Sequence, residues 1–225
     1  MVDHLPQLYY IAVATKPHPV LERIKQRVAM NNEHITILGE KENRDIGWQA
    51  NQNFGVKLNE VYKFIHRTEL NDNDIILFTD AYDVAYCGNM AEIIHRFTLF
   101  NKPIVFGSEK YCNPDESRSI EYTMKNTEFP YLNSGMFIGR AWALKQCMNG
   151  YEYNDKEDDQ RYWTTKFLNN PDLIELDYNN AIFLNTVDID MNQFIWNGQF
   201  GRYKLNNPIF IHVNGPDKRL IDQLV

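Results

Sequence analysis

The sequence predicts a single α/β domain in which a mostly parallel sheet is covered by helices on both faces. Three observations carry this expectation. Strand-like apolar runs alternate with segments of helical spacing, the order expected of a parallel sheet. The run Asp74-Ile75-Ile76-Leu77-Phe78-Thr79-Asp80 is almost continuously apolar and ends in an acid, as a strand buried on both faces does. No Pro/Gly/Ser-rich linker, repeat or low-complexity stretch divides the 225 residues, a length that suits one domain better than two.

Leu8 to Ala14 reads as the first strand, closed by Thr15-Lys16-Pro17-His18-Pro19, where neither proline can extend a regular element. Val20 to Met30 has helical spacing at Leu21, Ile24 and Val28. His34 to Leu38 then reads as a second strand stopped by Gly39, which completes a β-α-β unit. Glu40 to Asn53 is polar around Gly47-Trp48, and Val56 to Thr68 returns to helical spacing through Leu58, Val61, Tyr62 and Ile65. After the central strand come a helix from Met90 to Phe100, a strand from Pro103 to Gly107 and a long polar loop from Ser108 to about Phe129. Ligands in this architecture sit at the carboxyl ends of strands, which directs attention to the residues after Thr15, Phe78 and Gly107.

The composition narrows the function classes. With 44% hydrophobic residues and no apolar run near the ~20 residues of a membrane span, a soluble globular chain is expected. The net charge of -7, from 23 basic and 30 acidic residues, argues against a nucleic-acid partner and suits a protein that holds cations. Cys87, Cys112 and Cys147 show no paired spacing, so buried reduced thiols are expected rather than a disulfide framework or a zinc site. No Asn-x-Ser/Thr sequon and no basic segment before the first apolar run are present, which points to a cytosol-like compartment without a signal peptide.

The sharpest local signal is Asp80-Ala81-Tyr82-Asp83 at the end of the central strand. If the chain turns at Ala81-Tyr82, both carboxylates can converge on one hard divalent cation; otherwise they are a strand-end and a turn aspartate. A haloacid-dehalogenase-type phosphatase needs its aspartates two apart, and these are three apart. The sequence lacks G-x-G-x-x-G, a P-loop, H-E-x-x-H, H-x-D and G-x-S-x-G, so dinucleotide, P-loop, zinc-protease, iron-oxygenase and serine-hydrolase chemistry lose their signatures. What survives is a metal-bound diphosphate, with the ion neutralising charge on a departing nucleotide. His212-Val213-Asn214-Gly215-Pro216-Asp217-Lys218 follows a C-terminal strand. It offers an imidazole for the metal and backbone amides and Lys218 for phosphate oxygens, or else a plain turn. Glu157-Asp158-Asp159-Gln160 precedes an amphipathic run, where the acids either open a helix or face a sugar. Tyr131-Leu132-Asn133-Ser134-Gly135-Met136-Phe137-Ile138-Gly139 puts a polar step inside a hydrophobic run, either a ligand surface or a β-bulge.

Together, FTDAYDV (Phe78 to Val84), SEKYCNP (Ser108 to Pro114), YLNSGMFIG (Tyr131 to Gly139), EDDQ (Glu157 to Gln160) and HVNGPDK (His212 to Lys218) resemble, in order, the GT-A glycosyltransferase domain of multifunctional procollagen lysyl hydroxylases. The resemblance implies a Rossmann-like GT-A fold, Mn2+ bound by Asp80, Asp83 and His212, and a UDP-sugar donor. It places Tyr82 on the uracil, Lys57 near the nucleotide, and Asn214, Gly215 and Lys218 at the diphosphate. Asp158 and Asp159 match the family's functional acidic pair and Glu109 an active-site glutamate, while Thr15 and Trp48 fall where the nucleotide pocket is lined. The implied reaction transfers glucose from UDP-glucose to galactosyl-hydroxylysine of collagen-like chains. Galactose transfer from UDP-galactose to hydroxylysine and a non-catalytic nucleotide- or glycan-binding module are the alternatives. Two departures stand out. Asn113 replaces a tryptophan of the family, which bears on the acceptor, and the chain closes soon after HVNGPDK, from which a stand-alone domain without hydroxylase is expected.

Overall fold

The computed structural model describes residues 5–47, 53–67, 69–123 and 125–224. Trp48 and Thr68, both named above, lie outside the described residues. The elements follow the chain as β1 (Leu8–Val13), α1 (Pro19–Met30), β2 (Ile35–Leu38), α2 (Gly55–Ile65), β3 (Ile75–Asp80), β4 (Val84–Tyr86), α3 (Met90–Phe97) and β5 (Ile104–Glu109). They continue as β6 (Tyr131–Arg140), α4 (Ala141–Cys147), α5 (Asp159–Asn169), β7 (Ile174–Leu176), β8 (Phe183–Asn185), β9 (Phe194–Trp196), β10 (Gly201–Tyr203), β11 (Phe210–His212) and α6 (Ile221–Leu224).

The main sheet runs β2-β1-β3-β6-β5-β7. β1 pairs in parallel with β2 and β3, and β5 with β7. β6 alone runs against both its neighbours. Continuous apolar runs identify a strand buried on both faces but are silent on its direction, which is why the reversal of β6 is not foreseen. Side chains alternate between two cores, as strand geometry requires. Tyr10, Ala12, Ile75 and Leu77 face one core with α1 and α3, and Ile11, Val13, Ile76 and Phe78 face the other with α2 and α5.

Several boundaries need correction. Pro19 does not end an element but opens α1 at its first turn, where its missing N–H costs nothing and His18 caps the helix. β5 extends past Gly107 through Ser108 and Glu109, so these two belong to a strand and not to the loop, and a short 3-10 turn at Glu116–Glu121 interrupts that loop. The helices read as ending at Thr68 and Phe100 close earlier, at Ile65 and Phe97. A second sheet, β4-β11-β8, is absent from the sequence-based expectation apart from the strand ending at His212. Its strands are three residues long, too short for a periodic signal. Cys87, Cys112 and Cys147 are all buried and unpaired, as expected. Among the described residues no helix is long and apolar enough to cross a membrane.

Candidate active site

The carboxyl ends of β1, β3 and β5 converge with the second sheet. Val13 and Asp80 are register partners on β1 and β3, so the residues after each strand come out side by side. The chain does turn at Ala81-Tyr82, and Asp83 leads straight into β4, where Val84 pairs with His212 of β11. The Val213 amide donates to the Asp83 carbonyl at 2.8 Å and fixes this corner. As a result the ligand atoms of Asp80, Asp83 and His212 lie within 4.8 Å of one another. His212 Nε2 is 3.3 Å from Asp83 Oδ1 and 3.7 Å from Asp80 Oδ2.

Two features show that this trio fits a cation. The donor set, two carboxylates and one imidazole, suits a manganese-like ion. Gly135, in the middle of β6, supplies no side chain at a point where a Cβ would lie 2.4 Å from His212 Cε1 and 2.9 Å from Asp80 Oδ2, so the space beside both side chains depends on glycine. β5 and β6 lose register between Phe106 and Gly107, which pair with Phe137 and Asn133 respectively, leaving Ser134 to Met136 without partners on β5. The polar step of YLNSGMFIG is therefore a bulge, and it is the bulge that brings Ser134 and Gly135 to the site.

Charge balance in the cluster comes from two lysines. Lys57, on the first turn of α2, places Nζ 2.7 Å from Asp80 Oδ1 and 3.3 Å from Asp159 Oδ2. Burial disfavours its charge, but Asp159 and Asp80 outweigh that and raise its pKa above the ordinary lysine value. Lys218 lies 2.5 Å from Asp83 Oδ2 and also donates to the Val213 carbonyl. Burial likewise opposes ionisation of Asp83, yet His212 and Lys218 hold its carboxyl well below the usual range.

The acidic pair divides its tasks. Asp158 caps α5 by accepting the Arg161 amide at 2.9 Å, while Asp159 points toward Lys57 and accepts the Ser134 hydroxyl at 3.0 Å. Burial raises the Asp158 pKa, and the Arg161 N–H offsets part of this. Tyr82 is locked through its hydroxyl, which accepts the Thr15 and Lys16 amides at 2.9 and 3.0 Å, with its ring tilted 5.0 Å from His18. The buried Thr15 hydroxyl has no partner within the described residues.

Glu109 closes the far side. Its carboxylate accepts from Asn133 at 3.1 Å, Gln160 at 2.9 Å and Asn214 at 3.0 Å. Both ends of the Asn214 amide have a partner, because its oxygen accepts the Val187 N–H at 3.0 Å. That side chain thus faces inward, and its loop continues through Gly215 at φ +76. Gln160 also accepts the Ser134 amide at 2.6 Å, which ties the bulge to α5. Sequence reasoning had named Gly135 and Ser134 only as part of a polar step and had not singled out Asn185, whose side chain reaches His212.

Burial pushes the Glu109 carboxyl up to about 7, against the opposing effect of its amide donors and His212. The folded chain therefore binds this proton more tightly than the unfolded chain does. The resulting stability is fully present below about pH 4.5 and is lost as pH rises through about 7, a change of about 3 kcal/mol. Glu109→Gln is expected to flatten the thermal-unfolding midpoint between pH 5 and 8, by roughly that amount; a midpoint that falls as steeply as in the parent would contradict the assignment.

Comparison with known proteins matches the geometry to a family. The family model described as the PLOD GT domain matches residues 4–225. A Caenorhabditis elegans multifunctional procollagen lysine hydroxylase and glycosyltransferase is 30% identical over 236 residues, covering 99% of this chain and 32% of that protein. An uncharacterized protein, R699, of Acanthamoeba polyphaga mimivirus is 31% identical over 90% of this chain and 44% of its own length. The chain thus spans a third to under a half of these relatives. Among solved structures, the galactosyltransferase LgtC with donor and acceptor sugar analogs superposes with a TM-score of 0.52 at 12% identity, covering 94% of this chain and 88% of that one. A glycosyltransferase involved in glycosylation of the major capsid of PBCV-1 gives 0.50 at 12% identity, over 98% and 100%. These two likenesses identify the GT-A glycosyltransferase fold.

Proposed function

Since the chain belongs to the PLOD GT domain family, a family of glycosyltransferases, we propose that residues 1–225 form a UDP-sugar-dependent hexosyltransferase that uses Mn2+ held by Asp80, Asp83 and His212. The donor is UDP-glucose and the acceptor a galactosyl-hydroxylysine of a collagen-like protein; the names of the relatives, which include procollagen, support that acceptor class. The observation that carries the reading is the convergence of two carboxylates and one imidazole, beside a glycine, at the carboxyl edge of the sheet.

When bound, the cation would neutralise charge developing on the departing diphosphate. The chain's own groups then have separate tasks. Lys218, 44% exposed and attached only at the rim, turns from Asp83 to a phosphate oxygen, and the Asn214-Gly215 backbone shapes the loop that presents it. The Tyr82 ring, fixed by its hydroxyl, offers a flat face to the uracil, and Thr15 offers a hydroxyl without a partner among the described residues. Trp48 joins this pocket on motif grounds alone. Asp159 stands beside the metal cluster, so it orients the donor sugar and supports positive charge at the anomeric carbon, while Asp158 fixes the start of α5 beneath it. Lys57 bridges Asp80 and Asp159. Glu109, in its amide cage, borders the acceptor side.

UDP release measured with Mn2+ and a panel of UDP-sugars, with and without a galactosyl-hydroxylysine peptide, tests the reading. UDP-glucose with that peptide is expected to give the fastest release, and Asp83→Ala to lower it by roughly 100-fold or more. Absence of release with every donor sinks the transferase, and faster release with UDP-galactose and a hydroxylysine peptide reassigns both substrates.

A further inference from the structure

We infer that Asn185 is a positioning residue that holds His212 in the one tautomer able to ligate a cation; the inference rests on the metal-site reading above. The argument begins with the backbone. The Ser108 carbonyl can only accept, and Asn185 Nδ2 lies 3.0 Å from it, so the amide nitrogen must face that way. Asn185 Oδ1 then faces His212 Nδ1 at 2.8 Å, which requires that Nδ1 carry the hydrogen. A neutral ring has one donor and one acceptor nitrogen. In the neutral form that ligation requires, the lone pair is therefore on Nε2, the atom directed at Asp83 and Asp80. A flipped amide would set its oxygen against the Ser108 carbonyl and lose that bond, so the Ser108 carbonyl is what fixes the amide and, through it, the tautomer.

The fold makes this arrangement rigid. Asn185 and His212 are register partners on β8 and β11, and Asn185 is only 1% exposed. Ser108 is held in turn by its hydroxyl, which donates to the Asp177 carbonyl at 2.9 Å. Gly107 leaves the room required, since a Cβ there would come within 3.0 Å of Asn185 Nδ2. Outer hydrogen bonds of this kind to a ligating histidine commonly set metal affinity by about 10- to 100-fold.

The test measures Mn2+ affinity by the electron paramagnetic resonance signal of free Mn2+, alongside thermal unfolding. Asn185→Leu, of the same branched shape but unable to accept, is expected to weaken binding about 10- to 100-fold. Asn185→Asp keeps an acceptor for Nδ1 while losing the donor to Ser108, so it is expected to bind Mn2+ near the parent level with a lower unfolding midpoint. Parent-like affinity in Asn185→Leu overturns the inference, as does loss of affinity in both variants in step with stability. Asp83→Ala separates the two readings: if it binds Mn2+ like the parent, the metal site itself is wrong, whatever Asn185 does. Should Asn185→Leu not fold, the long-range 15N–1H spectrum of the parent chain loaded with Zn2+ decides. The signals of His212, assigned with His212→Gln, are expected to show Nδ1–H with the metal on Nε2, and ligation through Nδ1 refutes the proposal.

Discussion

Gly135→Ala is expected to eliminate measurable Mn2+ binding and donor turnover while the chain still folds. The added methyl would meet His212 Cε1 at 2.4 Å and both His212 Nδ1 and Asp80 Oδ2 at 2.9 Å, distances that real Cβ atoms do not tolerate. Little nearby can yield. His212 is nearly fully buried and bonded to Asn185, and Asp80 is tied to Lys57. Gly135 itself is anchored by its amide to Asn133 Oδ1 at 3.0 Å. The strand or the imidazole must shift, at a cost of about 1–3 kcal/mol for such overpacking. The shift falls directly on two of the three proposed ligands. Isothermal titration with Mn2+ checks this, and an affinity equal to the parent's would show that the glycine is incidental.

Lys57→Met is expected to produce the largest loss of stability. The ammonium is the cation shared by Asp80 and Asp159, and its side chain is only 13% exposed. Methionine fills the volume but deprives two carboxylates of the ammonium they share, and breaking a buried pair in this way costs about 3–5 kcal/mol. For a chain of this size that is a fall of roughly 10 °C in unfolding midpoint. The charge logic adds a second, less obvious expectation. Mn2+ should raise the midpoint of the variant more than that of the parent, because the ion now supplies the positive charge that Lys57 provided. Ligand at 100 times its dissociation constant returns about 2.7 kcal/mol. A midpoint unchanged by the substitution, or one indifferent to Mn2+, would refute the assigned charge network.

How much of this could be seen in the amino-acid order depends on the range of the interaction. The Asp80 to Asp83 turn is local, and the apolar strand before it marks where the two carboxylates emerge. His212 was identifiable because an apolar segment and an Asn-Gly-Pro turn frame it. Asn185 had no such frame. Its relation to His212 exists only because two three-residue strands pair in parallel, and nothing in either segment announces the partner. The adjacent acids show the same limit at shorter range. Sequence places Asp158 and Asp159 at a helix start, but which of them caps the helix and which turns to Lys57 is decided by where α5 begins, a one-residue distinction. The resemblance puts Asn214 at the diphosphate, while the contacts of its side chain with Glu109 and Val187 are long-range and leave no mark in the local sequence.

The last two residues of β5 also bear on how this chain can vary in length. The Ser108 carbonyl leads to Asn185 and the Glu109 carboxylate leads to Asn133, Gln160 and Asn214, so consecutive positions serve opposite halves of the pocket. Because neighbouring residues of a strand face opposite sides, one residue inserted or deleted between Phe106 and Glu109 would exchange those assignments and disconnect both halves at once. Beyond Lys110 the chain leaves β5, although Asn113 still reaches Glu109 and Cys112, Tyr122 and Phe129 are buried. Natural length changes should therefore accumulate around the 3-10 turn at Glu116–Glu121, where no residue is buried, and stop short of Ser108, which makes that turn the part of the segment freest to vary.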